Sequence, residues 1–305
     1  MTQSSAPILS KAVESKRSLA ETFARIEAHP ESPETLTLLE RAWANPIGRA
    51  IGFTGPPGVG KSTLIGALIK PLRERGLRVA VLAVDPSSQA THGALLGDRA
   101  RIASDPTDQG VFVRSIATRD RLGGLAELAM PIVTLFRAHF DLVLIETVGV
   151  GQTETAIIDL ADHIVFCAQP NAGDALQYMK AGVAEIPDIA VVCKKDLGAA
   201  ATRAVADLRG ALMMAARSGV PPEVLSVSAT AGEGVEALAE RLVSLPAPQD
   251  RQNQAQAWLY QTLVIRFGQE GVARLQPKMG EGEGPFAAAN RLSQRFRAFL
   301  ANYPG

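Results

Sequence analysis

The sequence predicts an α/β fold in which helices flank both faces of a mostly parallel sheet. Short apolar runs alternate along the middle of the chain with longer stretches of helical periodicity, and this alternation is typical of strand–helix–strand units. Ligands of such sheets gather at the carboxyl ends of the strands, so polar residues directly after predicted strands are the first functional candidates. The predicted strands lie at residues 50–54, 78–84, 110–113, 141–146, 163–168, 189–193 and 224–227.

The composition predicts a soluble, cytoplasmic protein. The 305 residues carry 31 basic and 31 acidic side chains, so no net charge attracts the chain to nucleic acid or to a membrane surface. Neither a signal peptide nor a run of about 18 apolar residues is present in the sequence. The cysteines, Cys167 and Cys193, lie in predicted strands and form no C-x-x-C pair, which favours a reducing compartment.

A glycine-rich segment follows the first predicted strand and precedes an apolar helical face. It fits the pattern G-x-x-x-x-G-K-[ST], in which backbone N–H groups and the positive end of a helix dipole face an anion. The lysine of this pattern reaches the β- and γ-phosphates, and the hydroxyl after it reaches Mg²⁺. The sequence therefore predicts a nucleoside triphosphate site formed by Gly55, Pro56, Pro57, Gly58, Val59, Gly60, Lys61 and Ser62.

Carboxylates follow two of the other predicted strands. Asp85 ends the second strand, where it either faces the nucleotide and its metal or caps a turn beside Pro86. Glu146 ends the fourth strand at the Walker B position, which suits a carboxylate that holds Mg²⁺ through water. Gly149 is expected to offer its N–H to the γ-phosphate, so that hydrolysis loosens the loop that follows.

The base is expected to bind after the last two strands. Lys194 and Asp196 approximate the N-K-x-D motif of GTPases, in which the aspartate accepts two hydrogen bonds from guanine and the lysine stem packs along the base. Cys193 stands in place of the asparagine, and a thiol is a weak donor, so that contact is weakened or lost. Ser228 and Ala229 match the loop whose backbone N–H supports guanine O6. Guanine is therefore the predicted base.

With these motifs in order, the chain resembles the G-protein chaperones of adenosylcobalamin-dependent acyl-CoA mutases, the MeaB/ArgK family. The resemblance covers roughly residues 10–300 and is strongest from 52 to 196. Its most particular element is the run ETVGVGQTE at 146–154, which begins with glutamate where Ras-like enzymes have aspartate. The phosphate loop carries the likeness too, together with VDPSS at 84–88, LGD at 96–98 and AGD at 172–174.

This resemblance implies hydrolysis of GTP to GDP, coupled to cofactor loading, protection or reactivation of a B12-dependent acyl-CoA mutase. Methylmalonyl-CoA mutase is the default partner, and cobalamin is expected on the mutase rather than on this chain. Mg²⁺ is the implied cofactor, held by Ser62, Asp85 and Glu146, with Thr63 beside the phosphates. The implied catalytic residues are Lys61, Asp85, Asp98 and Glu146.

Three segments resemble the mobile parts of the family. Asp98 lies in a segment similar to switch I, and Gln152 and Glu154 lie in one similar to switch II. The stretch 170–181 resembles the further switch that couples the family to its mutase, with Gln177 and Lys180 at the matching places. An ordinary strand-to-helix loop is the alternative for that stretch.

Both ends of the chain are predicted to be attachments to one P-loop GTPase domain at 46–246. An N-terminal helical extension occupies 1–45, and a C-terminal helical arm occupies 247–305. The arm carries two apolar stripes, which either pack on their own domain or, as the resemblance implies, form a homodimer. The stripes consist of Trp258, Leu259, Leu263 and Phe267, and of Phe286, Ala289, Leu292, Phe296 and Phe299.

Three other functions are compatible with a phosphate loop of this kind. A metallocentre-maturation GTPase has a related fold but usually carries Cys/His clusters at ligand spacing, whereas the four histidines here are scattered. A transport-linked ATPase or kinase needs adenine selectivity, against which the predicted guanine motifs argue. A nucleotide-binding scaffold without hydrolysis is the third alternative, since no residue is an obvious water-positioning catalyst.

Overall fold

The computed structural model describes residues 16–86, 102, 105, 107–118, 124–147, 160–170, 187–215, 221–247 and 251–302. These residues form two compact units. The sheet unit takes the described residues of 49–122 and 140–249, and the helical unit takes those of 1–48, 123–139 and 250–305. The predicted division at residues 45 and 246 stays a prediction.

The sheet unit is built on seven parallel strands in the order β3-β2-β4-β1-β5-β6-β7. The α/β fold and the parallel sheet predicted from the sequence are therefore confirmed. The strands are β1 (Arg49–Thr54), β2 (Val79–Pro86), β3 (Val111–Thr118), β4 (Leu142–Glu146), β5 (His163–Ala168), β6 (Ile189–Val192) and β7 (Glu223–Ser226).

The third strand is longer than its predicted span of 110–113. It continues through Arg114 and Ser115, whose polar side chains interrupt the apolar run. Because β3 stands at one end of the strand order, several of its side chains are only half-buried and polar residues fit there. The apolar pattern therefore underestimated this strand.

Helices are found in both units. They are α1 (Lys16–Ala28), α2 (Pro33–Ala44), α3 (Lys61–Glu74), α4 (Gly124–His139), α5 (Ala199–Ala215), α6 (Val235–Ser244), α7 (Arg251–Leu275) and α8 (Pro285–Ala301). A short 3-10 turn, Lys195–Leu197, precedes α5. Within the described ranges, no helix combines the length and the apolar character that crossing a bilayer requires.

Both faces of the central strands are covered by helices. On one face, Val165 and Cys167 of β5 join an apolar cluster that includes Leu68 of α3 and Leu238 of α6. On the other face, Phe166 and Ala168 of the same strand pack in a cluster with Leu208 and Leu212 of α5. Alternate residues of one strand thus enter opposite cores. This explains why β4, β5 and β6 are buried at every position and are apolar except for Glu146 and His163 at strand ends.

The helical unit combines α1, α2, α7 and α8 with α4 from the middle of the chain. The ring of Phe23 in α1 meets the ring of Phe136 in α4 edge-on, with centroids 5.1 Å apart. The guanidinium of Arg266 in α7 contacts Glu127 of α4 at 2.6 Å and Glu31 at 2.8 Å. Composition alone did not indicate that α4 belongs with the terminal helices.

The predicted apolar stripes of the C-terminal arm are largely buried inside this unit. Trp258 packs edge-on against Phe286 at 5.2 Å between ring centroids, and Leu263 and Leu292 are also buried. Tyr260, Phe299 and Leu300 are the large apolar side chains that the two arm helices leave exposed. Packing within the chain therefore buries most of the apolar side chains of the two stripes.

His163 holds the amino end of β5 to the segment that follows α6. Its ring Nε2 lies 2.9 Å from the carbonyl oxygen of Pro246, and its Nδ1 lies 3.2 Å from the carboxylate of Asp188. Asp188 raises the pKa of His163 above its ordinary value of 6.5, and the Pro246 carbonyl and Asp162 add to this, whereas burial opposes it. Since both near neighbours are hydrogen-bond acceptors, the protonated ring suits this position.

A stability difference that depends on pH follows from His163. Because its folded-state pKa is raised, the ring stabilises the fold fully below pH 6.5, and this contribution is lost as the pH rises through the folded-state pKa. His163→Gln keeps a donor for the Pro246 carbonyl but cannot titrate. We expect the free energy of unfolding of the wild type, measured by urea titration, to fall relative to that of H163Q as the pH rises from acidic to alkaline. Parallel pH curves for the two proteins would contradict this.

Candidate nucleotide-binding site

The glycine-rich loop leaves the carboxyl end of β1, the middle strand of the sheet. Gly55 has a φ of 136°, and a Cβ atom there would lie 2.1 Å from the carbonyl oxygen of Cys167 in β5. Only glycine combines that backbone conformation with such an approach. Gly58 and Gly60 also have positive φ angles, but a Cβ atom would meet nothing within 4 Å. The loop is therefore fixed to the sheet at its first glycine.

The loop leads directly into α3, with Gly60 as the helix N-cap. Lys61 is buried, with 5% of its surface exposed, and its ammonium donates to the carbonyl oxygens of Gly55 at 2.7 Å and Pro56 at 3.0 Å. Its charge thus lies over the loop that leads into the first helical turn. Thr63 is exposed in that same turn. A positive charge and a helix N-terminus at one point form an arrangement that suits phosphate.

Ser62 and Glu146 meet beside the loop. Glu146 ends β4 as the register partner of Phe53, so the sheet brings its carboxylate next to the start of the loop. The hydroxyl of Ser62 donates to Glu146 Oε1 at 2.5 Å, and Glu146 is only 9% exposed. A hydroxyl and a carboxylate oxygen are ligands that Mg²⁺ accepts, so these residues fit the predicted metal.

Asp85 belongs to the same edge of the sheet. Its backbone lies in β2, two residues beyond Ala83, which is the register partner of Glu146. Its backbone pairs with Ala117 of β3, while its side chain lies outside the described residues. Asp98, Gly149, Gln152, Glu154, Gln177 and Lys180 also lie outside the described residues.

The predicted base-binding residues follow β6 and β7, on the other side of β1. Lys194 and Asp196 are exposed at the start of the 3-10 turn, and Lys194 adopts the left-handed conformation with φ 59°. Val227 links the two strand ends, because its carbonyl oxygen accepts a hydrogen bond from the N–H of Lys195 at 3.1 Å. The described parts of the predicted site therefore lie along one edge of the sheet, the carboxyl edge.

The loop after β7 is closed by a short bridge. The N–H of Ser228 donates to the carbonyl oxygen of Glu233 at 2.9 Å, and the Ser228 hydroxyl accepts a hydrogen bond from the N–H of Ala231. Ser228 is fully buried, whereas Ala229 is half-buried. A loop of this shape holds the backbone of its tip in one conformation, as recognition of a base by backbone N–H groups requires.

The thiol of Cys193, at the asparagine position of the motif, is hydrogen-bonded to the thiol of Cys167 in the core. The N–H of Cys193 extends the pairing of β5 and β6 by donating to Ala168 at 2.8 Å. Contact with Cys193 and complete burial hold the pKa of the Cys167 thiol well above its usual value. Both cysteines are free and buried, Cys167 inside β5 as predicted and Cys193 directly after β6, which ends one residue before its predicted limit.

One polar residue of this edge was missed by the sequence analysis. Gln169 directly follows β5, and its side-chain oxygen accepts a hydrogen bond from the ammonium of Lys194 at 2.5 Å. Lys194 also reaches the carbonyl oxygen of Gly58 at 3.4 Å. The position of Gln169 directly after a predicted strand could have indicated it. However, a glutamine before a proline belongs to no known binding motif, so the sequence alone did not single it out.

The site geometry agrees with the similarity of the chain to known proteins. A family model described as methylmalonyl-CoA mutase-associated GTPase MeaB matches residues 19–260. A Pyrococcus abyssi protein named as a GTPase is 45% identical over 198 residues, which are 63% of this chain and 60% of that protein. The mitochondrial methylmalonic aciduria type A homolog of Mus musculus is 38% identical over 72% of this chain and 56% of its own length. The chain thus spans about 60% of the length of these relatives.

The solved structure of an LAO/AO transport system kinase has the same fold. It aligns with 92% of this chain and 93% of its own, with a TM-score of 0.63 and 24% identity. At this identity the likeness concerns the fold alone.

Substitution of the first loop glycine is expected to damage the fold more than substitution of the second. Gly55→Ala introduces both backbone strain and a clash with the carbonyl of Cys167, for a loss of about 3 kcal/mol. Gly58→Ala introduces backbone strain without a clash, for about 1–2 kcal/mol. Free energies of unfolding from urea titrations measure the difference. Equal losses would show that the approach to Cys167 is not restrictive.

Proposed function

The chain belongs to the MeaB family of methylmalonyl-CoA mutase-associated GTPases, and we propose that it hydrolyses GTP to assist a B12-dependent acyl-CoA mutase. The assistance consists of cofactor loading, protection or reactivation. The observation that carries the proposal is the convergence of Lys61 and the Ser62–Glu146 pair at the phosphate loop, on the edge that also holds Lys194 and Asp196.

The phosphate end of GTP is bound by the loop and the start of α3. The N–H groups of the first helical turn and the Lys61 ammonium offset the charge of the β- and γ-phosphates, with Thr63 beside them. Ser62, Glu146 and Asp85 would hold Mg²⁺, which neutralises charge that develops on the phosphates when it is bound. Burial of Lys61 and Glu146 strengthens these electrostatic interactions, because water screens buried charges poorly.

The guanine base is recognised beyond β6 and β7. The carboxylate of Asp196 accepts hydrogen bonds from N1 and N2 of guanine, which adenine does not offer. Lys194 packs along the base plane, while the backbone of Ser228 and Ala229 supports O6. This assignment favours GTP over ATP, although Cys193 does not provide an amide.

Communication with the mutase is assigned to the segments that resemble switches. Asp98, Gly149, Gln152 and Glu154 sense the γ-phosphate, and Gln177 and Lys180 carry the signal to the mutase. The mutase, rather than this chain, binds cobalamin. The zero formal charge of the chain agrees with a protein partner rather than nucleic acid or a membrane surface.

The proposal includes a cytoplasmic homodimer. Most of the apolar stripes of α7 and α8 are buried within the helical unit, so a dimer contact through this arm must use what stays exposed. Tyr260 of α7 and Phe299 and Leu300 of α8 are 43%, 40% and 54% exposed, and aromatic side chains are common at the centres of interfaces.

Stimulation of hydrolysis by a mutase tests the function. The purified chain is expected to hydrolyse GTP slowly with Mg²⁺ and faster when a B12-dependent acyl-CoA mutase is added, because the partner orders the switch segments. Phosphate release, measured with methylmalonyl-CoA mutase and with mutases of other acyl-CoA substrates, also identifies the preferred partner. Lys61→Met keeps the length of the side chain without its charge. It should abolish GTP hydrolysis both with and without the mutase. Rates that no mutase changes would refute the chaperone role while leaving GTP hydrolysis intact.

Guanine selectivity is tested at Asp196. Asp196→Asn replaces an acceptor by a donor, so GTP affinity should fall about 100-fold as two charge-assisted hydrogen bonds are lost. Xanthosine triphosphate should bind better than in the wild type, because its C2 carbonyl accepts from the new amide. Calorimetric titration with GTP, ATP and xanthosine triphosphate measures these changes. Asp207→Asn in α5 makes the same charge change at an exposed position and is the matched control. Identical GTP affinities for D196N and D207N would place the base elsewhere.

A further inference from the structure

The side chain of Lys194 is held at two points across the carboxyl edge of the sheet. Its ammonium donates to Gln169 Oε1 at 2.5 Å and reaches the carbonyl oxygen of Gly58 at 3.4 Å. Gln169 follows β5, Gly58 belongs to the phosphate loop, and Lys194 follows β6. The contact with Gln169 is much the shorter, so the glutamine rather than the loop determines where the ammonium lies.

The backbone of Lys194 is constrained as well. Its φ of 59° and ψ of 46° are left-handed, a conformation that side-chain-bearing residues rarely adopt. The neighbouring N–H groups both donate to main-chain oxygens at strand ends, that of Cys193 to Ala168 in β5 and that of Lys195 to Val227 directly after β7. A strained conformation fixed from both sides aims the side chain in one direction, which is typical of a residue whose position matters to a ligand.

Cys193, which occupies the asparagine position of the N-K-x-D motif, cannot hold the Lys194 side chain in place. Cys193 is 5% exposed, and its thiol contacts Cys167 in the apolar core. A thiol is also a weak hydrogen-bond partner compared with an amide. The carboxamide of Gln169, half-buried at the end of the adjacent strand, is the amide that this edge offers within the described residues.

We propose that Gln169 is a positioning residue of the base site, which holds Lys194 across the base plane through the Oε1–ammonium hydrogen bond. The inference rests on the proposed GTP function and specifies how its base pocket is assembled. The amide oxygen is neutral, so it orients the ammonium without neutralising its charge. The lysine therefore stays available for attraction to the π-face of the base. Guanine affinity thus depends on Gln169 although the glutamine need not touch the base.

The test uses two substitutions of similar size at Gln169. Gln169→Met keeps the length but removes the acceptor, and GDP affinity should fall about tenfold with the loss of a hydrogen bond to a charged group. Gln169→Glu keeps an oxygen in reach of Lys194 but neutralises the ammonium, so it should recover only part of the affinity that Q169M loses. Calorimetric titration of the 305-residue proteins with GDP and Mg²⁺ measures these constants, and thermal unfolding of each nucleotide-free variant checks that the fold is kept.

A double-mutant cycle with Lys194→Met separates positioning from a general structural role. If Gln169 acts through the lysine, Q169M should cost no further GDP affinity in the K194M protein. A wild type that binds GDP, together with a Q169M protein of equal affinity, would overturn this inference and leave the proposed function intact. A loss of the same size in both backgrounds would overturn it too. Failure of the wild type itself to bind GDP would refute the proposed function and this inference together.

Discussion

The candidate site depends on one close approach between two stretches of main chain. Gly55, at the end of β1, lies so near the carbonyl of Cys167 in β5 that a Cβ atom would be 2.1 Å from the oxygen. This contact fixes where the phosphate loop starts, and the carbonyl of Gly55 in turn accepts from the ammonium of Lys61. On the other side of β1, the parallel register puts Glu146 opposite Phe53, within hydrogen-bond distance of Ser62. The phosphate end therefore follows from backbone geometry.

Much of the sheet was predictable because its central strands are buried on both faces and are therefore almost wholly apolar. β4, β5 and β6 are buried at every position and are apolar except at Glu146 and His163. The candidates Glu146, Lys194 and Asp196 lie at or directly beyond the carboxyl ends of β4 and β6. β3 extends beyond its prediction because an end strand accepts Arg114 and Ser115 among its apolar residues. The apolar pattern predicts burial, so it loses accuracy where burial ends.

What the sequence could not predict depends on register and on contacts between distant segments. The pairing of Cys193 with Cys167 arises because the N–H of Cys193 continues the β5–β6 ladder, which no local pattern specifies. Gln169 was missed for a similar reason, because its partner Lys194 is 25 residues away. The grouping of α4 with the terminal helices likewise requires the contacts of Arg266 with Glu31 and Glu127.

The two ends of the candidate site differ in burial, and this difference determines what substitutions at each end affect. At the phosphate end the determinants are buried, since Lys61 and Glu146 are 5% and 9% exposed and Gly55 is fixed by its backbone. Changes there alter both the fold and ligand binding. At the proposed base end, Lys194 and Asp196 are exposed, so their replacement costs little packing and is expected to act on ligand contacts. An edge of this kind accommodates cysteine in place of an amide, provided that another group, here the side chain of Gln169, holds the lysine.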